Sequence, residues 1–350
     1  MKKMRILSKV FLLSFLVVTA VFVSSTQAAQ PISGTAVKTI ELRFGGSDNQ
    51  TSVNAIPQFK YAEMVKEKSK GSLIVKVFLQ SLGVEQQLTQ SVMEGSVDMG
   101  QCSGGNLARF TDAFLITDLP FLFRDYDIGM KALTTPDGLA MIARYEKELG
   151  VKHLYINSYG MGRSVQTTAK KMVRVPADLK GLKIRTVSTP MDMATFKAWG
   201  ANPTPVDWAQ MYSAMQQGLV DGTQNSPLNL VPSKHQEVLK YVYCINYQLE
   251  FEVNFINRKV FDSLSPEHQK ILVDCAAELQ DWDWKYKREV LTKERLQELR
   301  DFGLVVTFPT MEERVLWESI REKVWNEMAE KFKDKLDMKL AYKFYNSEKK

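Results

Sequence analysis

Histidine and cysteine are scarce in this chain of 350 residues, which holds three of each. No histidine lies at metal-ligand spacing from a cysteine, so the sequence predicts no structural zinc site. A disulfide framework in an exported protein requires an even, dense set of cysteines, which is absent here. We expect each cysteine to pack as a small apolar residue. One pair could still form a bridge, and the sequence leaves open which two of Cys102, Cys244 and Cys275 that would be.

The chain also lacks the signatures of several enzyme classes. It contains no phosphate-binding P-loop, no G-x-S-x-G nucleophile elbow and no H-E-x-x-H zinc helix. Neither His153 nor His235 has an obvious nucleophile beside it. We therefore expect a binding protein that needs no cofactor or metal. An exported enzyme is the less favoured alternative.

Long apolar runs are missing after residue 29. Before that point, four basic residues come first: Lys2, Lys3, Arg5 and Lys9. They precede 14 mostly apolar residues at 10–23 and small residues at 26–29. Fourteen apolar residues are fewer than the roughly 20 that a membrane span needs. The pattern therefore predicts a cleavable signal peptide over residues 1–29 and a periplasmic protein, with an uncleaved anchor as the alternative.

An excess of one charge is lacking in the mature chain. Loss of the four N-terminal basic residues lowers the formal net charge from +6 by four, to +2. Basic and acidic residues are interspersed, and no basic stripe carries interleaved aromatic residues, so we expect no nucleic-acid partner. About 320 mature residues are too many for one compact core, which predicts two lobes. We expect the protein to be a monomer.

The periodicity of the first hundred residues indicates an α/β fold. Three strands alternate with two helices between residues 38 and 101, each identified from its apolar pattern. In open α/β sheets, the loops that follow the strands line the ligand crevice. The loops at 45–49 and 102–106 are therefore predicted to form walls of one site, and the first of them includes Asp48.

A long helix is predicted near the end of the chain. Ser265 is a suitable N-cap, Pro266 suits the first helical position, and no Pro or Gly follows until Gly303. A helix of roughly 36 residues is about 54 Å long, which exceeds the width of one lobe, so we expect it to span both. Two helices with a kink are the alternative. The predicted segments are lobe I at 38–157 and 245–285, lobe II at 158–244 and 286–332, and a peripheral tail at 333–350.

One charged residue lies inside a predicted strand: Arg185, in the run LKIRTV that follows Gly181. A guanidinium that is taken out of water needs an anionic partner. That partner is either a carboxylate of the protein or an acidic ligand, and spacing alone does not choose between them.

Three segments around Arg185 favour the ligand. They are DLKGLKIR at 178–185, GANPTP at 200–205 and VDGTQN at 220–225. Together they resemble the signature region of the extracytoplasmic solute receptors of TRAP transporters, the DctP type, and the resemblance extends over about residues 40–309. It implies a two-lobe periplasmic-binding-protein fold with hinge strands and a long helix across both lobes. It also implies that Arg185 binds the carboxylate of an organic acid.

The resemblance assigns further ligand contacts. Arg163, in the run GMGRSV, matches an arginine that makes a second contact to the carboxylate, with an ordinary ion pair as the alternative. Trp208 matches an aromatic residue that closes over the ligand, with plain packing as the alternative. Asn225 offers an amide donor and acceptor, or else serves the turn before Pro227. Ser103 matches a position that faces the ligand.

One position departs from the family. Gln224 stands where the family commonly has glutamate, which leaves the surroundings of Asn225 with one negative charge fewer. Together with Trp208, this change favours a ligand that has an apolar portion over a polyhydroxylated one. A dicarboxylate, a 2-oxo acid, a sugar acid, an aromatic acid and an amino-acid derivative all remain open.

The leading hypothesis is a periplasmic solute receptor of a TRAP transporter. Such a receptor closes around an organic acid by hinge motion and delivers it to membrane permease subunits. The alternatives are a receptor of the ABC-transporter type, which is not expected to have an unbroken long helix, and a sensor-associated binding protein.

Overall fold

The computed structural model describes residues 39–347. The signal peptide predicted for residues 1–29 and the last three residues of the chain lie outside this range. Between residues 39 and 347, no helix combines the length and the apolar character needed to cross a membrane.

Residues 39–347 form eleven strands and thirteen α-helices, numbered here along the chain. The strands are β1 (Ile40–Gly46), β2 (Leu73–Leu79), β3 (Met99–Ser103), β4 (Val151–Ser158), β5 (Arg163–Thr167), β6 (Lys183–Thr186), β7 (Asn202–Pro205), β8 (Gly222–Asn225), β9 (Tyr241–Gln248), β10 (Phe251–Asn257) and β11 (Val305–Thr307). The helices are α1 (Ala55–Lys68), α2 (Glu85–Glu94), α3 (Gly104–Leu107), α4 (Tyr126–Ala132), α5 (Pro136–Leu149), α6 (Pro190–Ala198), α7 (Met211–Gln216), α8 (Arg258–Ser263), α9 (Pro266–Tyr286), α10 (Thr292–Asp301), α11 (Met311–Glu318), α12 (Arg321–Phe332) and α13 (Met338–Ser347).

The strands form two sheets, as the α/β prediction with two lobes requires. Sheet I has the order β2-β1-β3-β10-β4, and sheet II has the order β11-β9-β5-β8-β6-β7. In sheet I, β1 is parallel to β2 and β3, and β10 is antiparallel to β3 and β4. In sheet II, β6 is parallel to β7 and β8. Parallel strands bring their carboxyl ends to one edge, and the functional site lies at that edge of each sheet.

Buried apolar side chains hold helices against each sheet. Helices α1 and α9 cover sheet I, where Tyr61 and Leu272 are fully buried. In sheet II, Ile184 packs in one cluster with Trp199 and Trp317, whose rings meet edge to face with centroids 4.9 Å apart. Each large apolar side chain that leaves water in this way contributes roughly 1.5–3 kcal/mol to stability.

The predicted long helix is present and spans both lobes. Helix α9, a π-helical turn over Lys287–Leu291 and α10 follow one another without leaving helical backbone conformation, from Pro266 to Asp301. Helix α9 packs against β4 of sheet I, and α10 packs against β11 of sheet II. In the π turn, the fully buried Nζ of Lys287 pairs with Asp283 Oδ1 at 2.7 Å and donates to Ser158 O.

The C-terminal segment differs from the peripheral tail that we expected at 333–350. Leu336, Ala341 and Phe344 are buried in the same core cluster as Trp325 of α12. Their spacing puts the apolar side chains on one face of the segment that contains α13, while its lysines lie on the solvent side. The lysine content concealed this apolar face.

The three cysteines are buried and free of disulfide bonds. They belong to separate elements: Cys102 to β3, Cys244 to β9 and Cys275 to α9. Burial raises the pKa of the Cys244 thiol to about 12 and that of Cys275 to about 11. At neutral pH these thiols are therefore neutral, which fits the packing role that we expected.

Candidate functional site

A cavity of about 1070 Å³ lies where the strand ends of the two sheets meet. One wall consists of residues that follow β1 and β3 in sheet I, together with the start of α2. The other wall is built by the ends of β5, β6 and β8 in sheet II and by the segment 205–219. A cavity of this size at strand ends has room for a small organic ligand.

Arg185 is a buried cation in the sheet II wall. It lies in β6, and only 4% of its surface is exposed. Its Nε donates to Val206 O at 2.9 Å. Among residues 39–347, no carboxylate forms an ion pair with Arg185, and no group accepts a hydrogen bond from its Nη1 or Nη2. Burial and the nearby charge of Arg163 lower the pKa of Arg185 to about 10. Its terminal amino groups are therefore available for an anion.

Arg163, at the start of β5, is a second buried cation of the cavity wall. Its Nη1 lies 2.9 Å from Asp192 Oδ2, and its Nε lies 3.1 Å from Glu250 Oε1. Burial opposes the charge, but Glu250 and Asp192 raise the pKa of Arg163 well above its usual value. The two arginines of the cavity therefore differ, because Asp192 and Glu250 form ion pairs with Arg163, whereas they and Asp207 act on Arg185 only at longer range.

Gln224 fits its surroundings better than a glutamate would. Its Nε2 donates to Asp192 Oδ2 at 3.3 Å, and its Oε1 accepts from the Tyr247 hydroxyl at 3.1 Å. The same hydroxyl lies 3.3 Å from Asp192 Oδ1. A glutamate at position 224 would place a second carboxylate beside Asp192, and like charges at this distance disfavour each other. An amide at this position therefore suits a site in which Asp192 carries the negative charge.

Two amide side chains in the wall have buried polar atoms without a partner. The Oδ1 of Asn225 accepts from Ser226 N at 2.8 Å, but its Nδ2 has no hydrogen-bond partner in the described structure. The Oδ1 of Asn229 is buried and lacks a partner as well. A buried polar atom without a partner costs about 1–3 kcal/mol. A polar ligand that reached these two atoms of the cavity wall would remove this cost.

Trp208 combines packing with a place in the cavity wall. It begins a 3₁₀ turn, Trp208–Gln210, that leads into α7. The half-buried indole meets the buried His235 ring edge to face, with centroids 5.2 Å apart. Burial and the charge of Arg185 lower the pKa of His235 to about 3, so this imidazole is neutral and serves as a packing partner. The contact fixes the indole while it still lines the cavity.

The sheet I wall contains a carboxylate that is held by four donors, the most distant of which is Cys102 Sγ at 3.7 Å. Glu85 begins α2, and its Oε2 accepts from Ser103 N at 3.0 Å and from Ser103 Oγ at 2.7 Å. Asn106 Nδ2 donates to the same oxygen at 2.8 Å. The segment after β3, which the sequence predicted as a wall, is thus tied to the first turn of α2.

A second carboxylate of this wall, Asp48, belongs to a buried hydrogen-bond network. Asn54 Nδ2 donates to Asp48 Oδ2 at 2.7 Å and to the Tyr159 hydroxyl at 2.8 Å, and Tyr159 in turn donates to Glu252 Oε2. Burial raises the pKa of Asp48 to about 6, although the hydrogen bond from Asn54 opposes the shift. These acids are not arranged as metal ligands: within residues 39–347, no group of three or more His, Cys, Asp or Glu side chains could hold a metal ion.

The structure brings all the residues of the sequence prediction to this cavity. Its lining includes Arg185, Arg163, Asn225, Trp208, Ser103, Asp48 and Gln224. Their contacts with a ligand stay predictions. Sequence reasoning missed other lining residues: Glu85, Tyr159, Asn229 and Glu250. An acid in the first turn of a helix is commonly explained by the helix dipole, and this explanation concealed Glu85. Glu250 could have been noticed as an acid between two apolar strands.

The sequence matches a known protein family over most of its length. The family is described as "Bacterial extracellular solute-binding protein, family 7", or DctP, and its profile matches residues 45–331. The match therefore covers sheet II, sheet I except for residues 40–44 of β1, and the whole cavity wall.

Individual relatives carry binding functions in their names. The chain is 36% identical over 278 residues to the 2,3-diketo-L-gulonate-binding periplasmic protein YiaO of Escherichia coli K12. This alignment covers 79% of this chain and 80% of that protein. It is 29% identical over 278 residues to the C4-dicarboxylate-binding periplasmic protein DctP of Rhodobacter capsulatus. That alignment covers 78% of this chain and 81% of the Rhodobacter protein.

A solved structure shares the fold. The sugar acid binding protein DctPAm of Advenella mimigardefordensis, in complex with galactonate, superimposes with a TM-score of 0.80 at 26% sequence identity. The superposition covers 89% of this chain and 98% of that protein. The two-sheet architecture of this chain is therefore that of a two-lobe periplasmic binding protein.

Proposed function

We propose a function from the premise that this chain belongs to family 7 of the bacterial extracellular solute-binding proteins, the DctP family. It is a solute receptor of the TRAP type for carboxylate ligands. We propose that it works in the periplasm, binds one organic acid in the cavity between the two sheets, and delivers the acid unchanged to a membrane permease.

The observation that carries this proposal is the state of Arg185. Its buried guanidinium lacks a counter-ion among the described residues, and its terminal amino groups donate to none of them. A guanidinium matches a carboxylate through two parallel hydrogen bonds. Asn225 Nδ2 is a further donor without a partner in the same wall. The site is thus prepared for a carboxylate before any ligand arrives.

Closure follows from the division of contacts between the two walls. Arg185, Trp208 and Asn225 belong to the sheet II wall, whereas Asp48 and the residues around Ser103 belong to sheet I. A ligand that touches both walls obtains its full set of contacts only when the walls approach each other, so binding raises the population of the closed state. Residues 159–162 and 249–250, which connect the sheets, are the proposed hinge.

A calorimetric titration of the purified protein against a panel of organic acids tests the binding function. We expect Arg185→Ala to lose roughly 3–5 kcal/mol of binding free energy, as when one partner of a buried ion pair is removed. Arg43→Ala is the matched control, because Arg43 is half-exposed, pairs with Asp98 at 3.0 Å and lies outside the cavity lining. Near-normal binding by Arg185→Ala would refute the assignment of this residue.

Analysis of the recovered ligand and an uptake assay separate transport from the alternatives. We expect the bound acid to be released chemically unchanged, whereas turnover would indicate an enzyme. We also expect uptake of the acid by vesicles that contain the cognate TRAP membrane subunits, with loss of uptake when Arg185→Ala replaces the wild-type receptor. Binding without uptake in the presence of those subunits would favour a sensor-associated protein.

A further inference from the structure

The charges of the cavity narrow the class of acid, an inference that rests on the proposed function because it concerns the same site. In the described sheet II wall, Arg185 is the buried cation without a counter-ion, whereas Asp192 and Glu250 neutralise Arg163. One carboxylate of the ligand is therefore enough to pair with Arg185, the cation of this wall that has no ion-pair partner among the described residues. A second carboxylate would have to be accepted elsewhere.

The sheet I wall presents the acceptors of Glu85 and Asp48 to the cavity, and the donors next to Glu85 are already engaged. Ser103 N, Ser103 Oγ and Asn106 Nδ2 all donate to Glu85 Oε2, at 3.0, 2.7 and 2.8 Å. These are the kinds of donor that a second ligand carboxylate would need. No described group donates to Glu85 Oε1, so this oxygen can accept from a ligand.

Asp48 adds a second acceptor group to the same wall. No lysine or arginine among the described residues forms an ion pair with Asp48 or Glu85. Arg109 is a cation of this wall, but it is exposed, and a solvated arginine compensates other charges weakly. A ligand carboxylate at this end would meet two carboxylates of the protein, whereas a ligand hydroxyl would donate to them.

We propose that the cavity selects monocarboxylic acids whose far end carries hydroxyl groups, and that Glu85 excludes dicarboxylic acids of the same length. The carboxylate of Glu85 repels the second carboxylate of a dicarboxylic acid, and such repulsion distinguishes between ligands of similar shape. This conclusion differs from the sequence-based expectation of a ligand with an apolar portion. The apolar contact of Trp208 lies in the sheet II wall, and most residues of the sheet I wall are polar.

Matched pairs of aldonic and aldaric acids test the proposal by calorimetry. Galactonate and galactarate differ only at C6, which is a hydroxymethyl group in galactonate and a carboxylate in galactarate. We expect galactarate to bind roughly 100-fold more weakly than galactonate, since like charges a few ångströms apart repel strongly in a partly desolvated cavity. Gluconate and glucarate, and erythronate and meso-tartrate, are tested in the same way.

Two isosteric variants test the role of the wall. Glu85→Gln should narrow the ratio of aldonate to aldarate affinity at least about tenfold by removing the charge without changing the shape. Asp48→Asn should narrow the ratio in the same direction. Glu41→Gln is the matched control: Glu41 lies on β1 outside the cavity lining and pairs with Lys76 at 2.7 Å, so its variant should keep the wild-type ratio.

Each outcome decides the proposal. Equal affinity for the two members of each pair, or an unchanged ratio in Glu85→Gln, overturns the inference while the acid-receptor function stands. Binding of a dicarboxylate when no aldonate binds has the same consequence. If no acid of the whole panel binds to the wild-type protein, the proposed function fails as well.

Discussion

The difference between the two cavity arginines leads to opposite effects on stability when each is replaced by methionine. Burial and Arg163 lower the pKa of Arg185 from 12.5 to about 10, so the folded state holds this charge at a cost. This lowering of the pKa of Arg185 corresponds to about 3 kcal/mol. Arg185→Met removes the charge and keeps an unbranched side chain. It also removes the hydrogen bond to Val206 O, whose loss costs about 1 kcal/mol. We therefore expect the ligand-free protein to gain about 2 kcal/mol.

The pH dependence shows why the substitution is needed to reveal this cost. When the pKa of a basic group is lower in the folded than in the unfolded state, its charge lowers the free energy of unfolding, and this effect is complete at every pH below the folded-state pKa. For Arg185 the destabilisation disappears only as the pH rises from about 10 toward 12.5. At neutral pH the guanidinium is charged in both the folded and the unfolded state. The cost of the Arg185 charge is therefore constant over the whole physiological range, and no ordinary pH titration of stability detects it.

Arg163→Met is the matched comparison. This substitution leaves Asp192 and Glu250 as buried carboxylates without their cation, which is expected to cost roughly 3–5 kcal/mol. The assay is urea-induced unfolding of both variants, after denaturation and refolding to remove any ligand that copurifies and stabilises the wild-type protein. Arg185→Met should unfold at higher urea concentration than wild type and Arg163→Met at lower. If Arg185→Met were instead destabilised by more than about 1 kcal/mol, Arg185 would be satisfied by the protein and the reasoning would be wrong.

Three further substitutions test other parts of the site. Gln224→Glu should lower the free energy of unfolding by about 1–3 kcal/mol by losing the donor to Asp192, which urea unfolding at pH 7 measures. Asp48→Asn should raise stability by up to about 3 kcal/mol at pH 8 but not at pH 3.5, because a carboxyl group whose folded pKa is raised to about 6 costs stability only when it is ionised. Lys287→Met should cost roughly 3–5 kcal/mol by leaving Asp283 buried and unpaired, and adding Asp283→Asn should restore much of it; no rescue would contradict the ion-pair explanation.

Much of the architecture followed from local patterns in the sequence. The helix that begins at Pro266 was predicted because capping residues mark its start and no Pro or Gly interrupts it before Gly303, and these are local properties. The π turn at Lys287–Leu291 was not predicted. Its Lys287 contacts Ser158, which is distant in the chain, and local sequence patterns contain no information about such a contact. The burial of α13 was missed for a similar reason, since its partner surface comes from distant parts of the chain.

For the site, sequence patterns identified residues but not their electrostatic states. Arg163 lies at the start of a short strand and Arg185 lies within one. For each of them, the sequence left open whether the guanidinium pairs with a protein carboxylate or contacts a ligand. The alternative holds for Arg163, because Asp192 from α6 and Glu250 from the segment before β10 reach it. For Arg185 no described carboxylate does so. Which acid reaches which arginine depends on how α6 and the connection 249–250 pack, and spacing within one strand contains no information about that.

The unequal arginines also explain how the proposed receptor can bind an acid tightly with few contacts. A receptor in which both guanidinium groups were already paired would gain little from a ligand carboxylate, because the ligand would only replace a protein carboxylate. With Arg163 neutralised in advance, its network holds β5, α6 and the segment before β10 in fixed positions. Arg185 keeps its unfavourable charge until an acid arrives, so the relief of that charge is added to the binding free energy. The buried charge of Arg185 lowers the stability of the ligand-free protein, and pairing of that charge with the ligand increases the affinity. We therefore expect Arg185→Met to be more stable than the wild-type protein and unable to bind the acid.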